Sequence, residues 1–410
     1  MMTKPMRIFL GAAVLVAAVL STPFWLPAAL ASNAGSGPLE AGEATVLLWS
    51  NEWQPNGDTI VQNGPRLVAW QPGSGELAWL LDTGYAYGAV VDSERAYLVE
   101  DPVRNAYEPQ ALLQLSVVDL RTGELVSQTE LHGQFLANLS SGAPVPILVL
   151  GDTLYFTNHR QGNNLAAYDL TTHTLDEARY RLCERGYPVE FEYIASQHAM
   201  LSLCIEFNSE MEASLTRVSL ADGQQHSLLA LGLTVEDHYP ANGLVVTPDE
   251  RVFVLNSGSY TIMEIDAETM QAVRQANYAE AKPQQSSLWE RAAAWLLELA
   301  ARPAQAKMLF AVTALSPDGS QLAVAGSPLH GNQRELYVVD LDTLQAVQRV
   351  RMPGLASQLA YLDADTLLLV YGDNSPWYQV AALDLASGEH DLLAAPAFGY
   401  LRELFVLTGQ

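Results

Sequence analysis

One phrase recurs seven times in this chain, and that recurrence limits what the chain can fold into more than any other feature. The phrase is an apolar alternating run, usually an Asp, a short turn with Thr, Ser or Gly, and then a second run. It appears as Val118-Asp119-Leu120-Arg121-Thr122-Gly123-Glu124 and as Tyr168-Asp169-Leu170-Thr171-Thr172. It returns as Ile265-Asp266-Ala267-Glu268-Thr269, Val339-Asp340-Leu341-Asp342-Thr343 and Leu383-Asp384-Leu385-Ala386-Ser387-Gly388-Glu389. Residues 70–76 and 218–223 are degenerate copies. Anchored on the Asp position, the copies stand at 71, 119, 169, 219, 266, 340 and 384. The intervals are 48, 50, 50, 47, 74 and 44 residues, so the chain holds seven repeats with one insertion.

Each repeat carries a second marker upstream, a tight turn between two apolar runs. The clearest is Leu315-Ser316-Pro317-Asp318-Gly319-Ser320, and others are Thr247-Pro248-Asp249-Glu250, Asp92-Ser93-Glu94, Gly151-Asp152 and Asp363-Ala364-Asp365. Pro and Asp preset such turns, and the flanking Val, Leu and Tyr favour strands. A unit therefore has four strands, A to D, and four-stranded units repeating every 45–50 residues predict an all-β, seven-bladed β-propeller. A solenoid needs shorter units. Repeat one begins with its B strand at 45–49, and the chain ends in a spare strand at 401–407. That strand is expected to become strand A of blade one and to close the ring, which removes an exposed edge.

The Ser-Pro-Asp-Gly turn and the Val-Val-Asp-Leu phrase resemble the seven-bladed YVTN and WD-repeat-like propellers of the quinoprotein amine dehydrogenase β-chain superfamily. The resemblance covers residues 44–410. It implies the fold, and it implies either an enzyme or a binding scaffold, since the superfamily hosts both. The Trp-Asp ending and Gly-His partner of true WD repeats are not present.

The N-terminus reads as an address. Lys4 and Arg7 precede an apolar run at 8–20, and Ala29-Leu30-Ala31 offers a small-x-small cleavage pattern. Two readings stand: a cleaved signal peptide at 1–31, favoured by Pro23 and Pro27, or an N-terminal anchor long enough to span a bilayer. Both put the propeller in a periplasmic, cell-surface or extracellular compartment. Residues 32–43 read as a flexible linker. The whole chain carries 46 acidic against 21 basic residues, a formal charge of −25, and loss of residues 1–31 takes it to −27. Nucleic-acid binding rests on Lys and Arg at phosphates, so a nucleic-acid partner is not expected. Cys183 and Cys204 are the only cysteines and stand either as one disulfide or as two buried thiols.

In a propeller the A–B and C–D turns lie on one face, and the B–C and D–A loops on the other. Here the C–D turns are short and several B–C loops are long, at 51–65, 101–110 and 327–334. That elaborated face is the expected binding surface, for a protein partner or a small ligand. Its loops carry Trp53, Arg104, Tyr107, His159, Arg160, Tyr260, Arg334, Asp373 and Trp377. Arginines gathered there suit an anionic ligand.

The long interval holds a helical insertion between blades five and six, at about 280–306. Ser287 and Glu290 match a capping box, Ala and Leu dominate, and Pro303 stops the run. Glu290, Arg291, Glu298 and Arg302 span about 120° of the helix, and the rest is apolar. Leu288, Trp289, Trp295, Leu296 and Leu299 then either pack on the propeller or dock a partner. Membrane contact is expected only through this helix or the N-terminal segment.

No nucleophile elbow, zinc-protease motif, phosphate loop or dinucleotide fingerprint occurs. No cofactor and no metal are expected. The favoured function is an extracytoplasmic binding scaffold. The alternative is a propeller enzyme, a lactonase-like hydrolase or quinone-linked dehydrogenase, with Asp237, His238 and His330 at the channel mouth.

Overall fold

All seven phrases fold into one turn. In the computed structural model, the residue four places after each anchor lies in the left-handed region: Gly75, Gly123, His173, Gly223, Met270, Leu344 and Gly388, at φ between 56° and 75°. In every copy the amide of that residue donates to the carbonyl of the anchor, at 2.7–2.9 Å. Where the anchor is Asp, its carboxylate takes further amides of the same turn. Asp119 accepts from Arg121 and Thr122 at 3.0 and 2.9 Å, and Asp169 accepts from Thr171 and Thr172 at 2.9 and 2.7 Å. Asp266, Asp340 and Asp384 repeat the arrangement. The recurring Asp is thus a local turn cap.

The structure describes residues 44–50, 65–102, 111–135, 147–158, 164–184, 186–206, 212–230, 242–280, 311–326, 334–372, 378–393 and 401–407. Among them, twenty-eight strands form seven four-stranded antiparallel sheets. Blade one contains β1 (Thr45–Ser50), β2 (Arg66–Trp70) and β3 (Leu77–Asp82). Blade two contains β4 (Tyr85–Val91), β5 (Arg95–Asp101), β6 (Ala111–Asp119) and β7 (Leu125–Phe135). Blade three contains β8 (Ile147–Leu150), β9 (Thr153–Asn158), β10 (Asn164–Asp169) and β11 (Thr174–Arg181). Blade four contains β12 (Tyr187–Ile194), β13 (Ala199–Glu206), β14 (Glu212–Ser219) and β15 (Gln225–Ala230). Blade five contains β16 (Asn242–Val246), β17 (Val252–Asn256), β18 (Thr261–Asp266) and β19 (Gln271–Asn277). Blade six contains β20 (Thr313–Leu315), β21 (Gln321–Ala325), β22 (Glu335–Asp340) and β23 (Gln345–Arg351). Blade seven contains β24 (Leu355–Tyr361), β25 (Thr366–Gly372), β26 (Gln379–Asp384) and β27 (His390–Leu392). The last strand, β28 (Leu401–Leu407), lies in the blade-one sheet and pairs antiparallel with β1. The chain is a seven-bladed β-propeller.

The middle strands are apolar on both sides because each blade is covered twice. Along β17, Val252 and Val254 pack toward blade four, while Phe253 and Leu255 pack toward blade six. Buried clusters join blades one and two, two and three, three and four, four and five, five and six, and six and seven. A further cluster sets Val46, Leu48 and Trp70 of blade one against Leu368 and Val370 of blade seven. Each fully buried Leu or Val contributes about 1.5–3 kcal/mol, set against the entropy of ordering the chain.

Among the described residues the one helical element is a 3-10 turn, Tyr278–Glu280, and no helix is long and apolar enough to cross a membrane. The insertion expected at 280–306, with its five docking residues, lies outside the described residues from 281 onward, as do the leader and the linker.

The shared turn generates a test. Gly123 sits at φ 70°, and a Cβ there would overlap the indole of Trp79. That indole donates to the Leu120 carbonyl at 3.0 Å and ties blade one to blade two. Gly123→Ala should therefore lose about 2–4 kcal/mol in urea unfolding. Gly73→Ala, in the matching turn of blade one with nothing within 4 Å, should stay within about 0.5 kcal/mol.

Candidate functional site

The innermost strands of neighbouring blades touch one another: β12 meets β16, β20 meets β24, β24 meets β28, and β28 and β8 both meet β4. Their sequences are apolar, as in ILVL of β8, NGLVV of β16 and TAL of β20. Strand β12 differs. Its sequence YPVEFEYI places two acids, Glu190 and Glu192, on an inner strand.

A β-bulge decides where those acids face. In the β12–β13 register Pro188 pairs with Cys204 and Glu190 with Leu203, so Val189 is the extra residue. Such an insertion reverses the in–out alternation beyond it. Val189 before the reversal and Ile194 after it both pack toward blade five. Phe191 and Tyr193 turn toward blade three. Glu190 and Glu192 thereby share the side that faces blade five.

There they line a cavity of about 410 Å³ at the centre of the propeller, shared by β12, β16 and β20. Leu244, Val246 and Leu315 supply apolar wall, and Thr313 supplies one hydroxyl. Both acids are part-buried.

Hydrogen bonding separates these acids from an ordinary buried one. Glu100 in β5 is 1% exposed, and both its oxygens are occupied. The Gly84 amide donates to Oε2 at 2.5 Å, and Gln114 Nε2 (2.8 Å) and the Ser116 hydroxyl donate to Oε1. Glu190 accepts one bond, from the Leu244 amide at 2.5 Å. Glu192 has no hydrogen-bond or ion-pair partner among the described residues, and no Arg, Lys or His there pairs with either acid. Burial pushes Glu190 up to about 8, with the Leu244 amide opposing and the charge of Glu192 adding to the rise. Burial alone lifts Glu192 to about 7. A carboxyl pair poised near neutrality in a cavity can bind cations and donors, or exchange protons with a bound molecule.

The residues expected from sequence fall elsewhere. Tyr260 closes the β17–β18 turn, and its ring packs edge-on to Tyr278 and Tyr337, at 5.8 and 5.5 Å between centroids, inside the blade five–six interface. Arg334 is exposed, and its carbonyl accepts the Met352 amide at 2.6 Å. Neither lines the cavity. Trp53, Arg104, Tyr107, His159, Arg160, Asp373, Trp377, Asp237, His238 and His330 lie outside the described residues. Cys183 and Cys204 are joined by a disulfide with Cα atoms 5.8 Å apart, in the blade three–four cluster. Among the described residues no group of three or more His, Cys, Asp or Glu side chains converges as a metal site. Sequence reasoning passed over Glu190 and Glu192. The available signal was a comparison of the seven inner strands, of which β12 alone carries two acids.

No family model and no curated protein matches the chain. Solved propellers do. The periplasmic gluconolactonase PpgL of Pseudomonas aeruginosa is 12% identical with a TM-score of 0.54, covering 90% of this chain and 100% of its own. The dihydro-heme d1 dehydrogenase NirN is 12% identical at 0.52, covering 93% and 77%. AztD of Citrobacter koseri is 9% identical at 0.52, covering 90% and 99%. Likeness at this identity carries the propeller fold and not its chemistry.

The raised carboxyl groups give stability a pH dependence. An unfolded Glu titrates near 4.3, so between that value and 7–8 the folded chain holds more protons than the unfolded one. Stability from these groups is full below about pH 4 and is lost as pH rises through 7–8. Glu192→Gln and Glu190→Gln should each stabilise the protein at pH 8.5 by about 1–3 kcal/mol and leave it unchanged at pH 4.5, read by urea unfolding.

Proposed function

We propose that this protein is an exported β-propeller of the YVTN and quinoprotein amine dehydrogenase β-chain-like kind, and that it binds a small molecule in its central cavity. The observation that carries the reading is the pair Glu190 and Glu192, among the described residues one half-satisfied and one unpartnered, set in a cavity of about 410 Å³ between three inner strands. A chain seldom draws carboxylates into an inner strand with so few protein partners unless something else meets them. The volume suits a metabolite-sized ligand. Export is supported by the leader-like sequence at 1–31 and by a periplasmic protein among the structural relatives.

A second reading rests on the same pair. Two adjacent carboxyls titrating near neutrality let one stay protonated while the other is ionised, which divides the roles of general acid and base. On that reading the cavity is the active site of a hydrolase, and Glu190 and Glu192 replace Asp237, His238 and His330 as its first candidates.

The test is native mass spectrometry of the protein isolated gently from its host, beside the Glu190→Gln/Glu192→Gln variant. A bound species on the order of a few hundred daltons, present in the native protein and absent from the variant, is the expected result. A lactone substrate turned over by the native protein and not by the variant would make the cavity catalytic. If the two carry the same masses, or hold only a second polypeptide, the cavity is not the site.

A further inference from the structure

We propose that the cavity takes a compact organic cation, an ammonium or guanidinium group on an apolar body, held by Glu192 and the free oxygen of Glu190. This rests on the central cavity being the binding site, and it names the chemistry of what binds there.

Three features lead to that class. The first is unmet acceptor capacity. The two carboxyl groups on the cavity wall have four oxygens, and among the described residues only one of them is engaged, by the Leu244 amide. Once ionised, that set fits an N–H donor with positive charge, which a neutral hydroxyl does not supply. The second is the character of the remaining wall. The lining side chains besides the two acids and Phe191 are Leu244, Val245, Val246, Ala314 and Leu315, with Thr313 as the one other side-chain oxygen, although polar atoms make up the larger part of the accessible lining. A bare divalent cation seeks six or more oxygens, more than the side chains of Glu190, Glu192 and Thr313 present, whereas the carbon body of an organic cation can lie against the aliphatic side chains. The third is the field of the chain. A formal charge of −25 draws cations toward the molecule and repels anionic ligands.

Glu190 and Glu192 are the only titratable groups on the cavity wall among the described residues. Strands β16 and β20 bring the apolar side chains named above, and β13 behind them pairs through Leu203 and Leu201. Cation binding selects the ionised carboxylates. In the free protein these hold protons up to about pH 7–8, so binding releases protons below that range and tightens as pH rises through it.

The experiment is isothermal titration calorimetry of the intact protein with butylammonium and 2-phenylethylammonium, in physiological salt that damps the general field. Neutral 1-butanol, gluconolactone and calcium chloride serve as the contrasting probes. The ammonium probes should bind one per chain at pH 9 and at least about tenfold more weakly at pH 6. Proton release, read by comparing buffers of different ionisation enthalpy, should accompany binding at pH 7. Glu192→Gln should weaken binding about tenfold or more, and Asp391→Asn, an exposed acid far along the chain, should leave it unchanged. Gluconolactone binding that Glu192→Gln abolishes, with no ammonium binding, would overturn the cationic class and keep the cavity as the site. Calcium binding in place of the ammonium probes would also overturn it. If no probe binds at about 10 mM and native and variant proteins carry identical masses, both this assignment and the cavity reading fail.

Discussion

The fold depends on one constraint: no blade can bury its own faces. A four-stranded sheet of this sequence is apolar on both sides, so each blade needs a neighbour on either flank. The buried clusters show how this is met, each drawing alternate residues from two successive blades, including blade seven against blade one. The strands are therefore under a double restriction. A polar side chain on an edge facing solvent costs little, but the same side chain on an inner strand removes an apolar contact and must find a partner. Glu100 meets that demand with three protein donors. Among the described residues Glu190 has one donor and Glu192 none, and this is why they stand out physically and not merely as acids.

Their placement is assembled by the backbone just upstream. Gly186 takes φ 77° where a Cβ would collide with the Ile205 carbonyl, so the chain presses close against β13. The disulfide from Cys183 fixes the approach to the same strand at Cys204. Pro188, which donates no amide hydrogen bond, pairs opposite Cys204, and the extra residue Val189 follows. A fixed start, a proline and a bulge together reverse the alternation, leaving Phe191 for the blade three interface and the two acids for the cavity. A register without the bulge would exchange those sides.

The sequence carried the blades and their turns because both are local. Asp119, Asp169, Asp266, Asp340 and Asp384 act within three residues of themselves, so the phrase could be read without knowing what it packs on. The spare strand at 401–407 was legible for the same reason, as an unmatched fourth member of repeat one. The cavity acids were not. By itself, VEFEYI reads as a strand with one dry and one wet face, and only its position as innermost strand covers both. The loop residues chosen in their place were selected for polarity and face. That criterion cannot tell a ligand contact from an interface residue, and Tyr260, packed between Tyr278 and Tyr337, shows the difference.

The far wall of the cavity is strand β20, three residues long, which brings Thr313, Ala314 and Leu315 to it. A Leu pair at 190 and 192 would extend the blade four–five cluster into that space and strengthen the core, since well-packed apolar groups commonly match or exceed buried charges in stability. The protein instead places two part-buried carboxyls there and leaves room beside them. That arrangement is tolerable only because the interfaces around the ring, together with the disulfide behind β12, hold the strand independently of what the cavity contains. A site carried by one rigid inner strand is fixed before any ligand arrives, and little ordering free energy is then lost on binding.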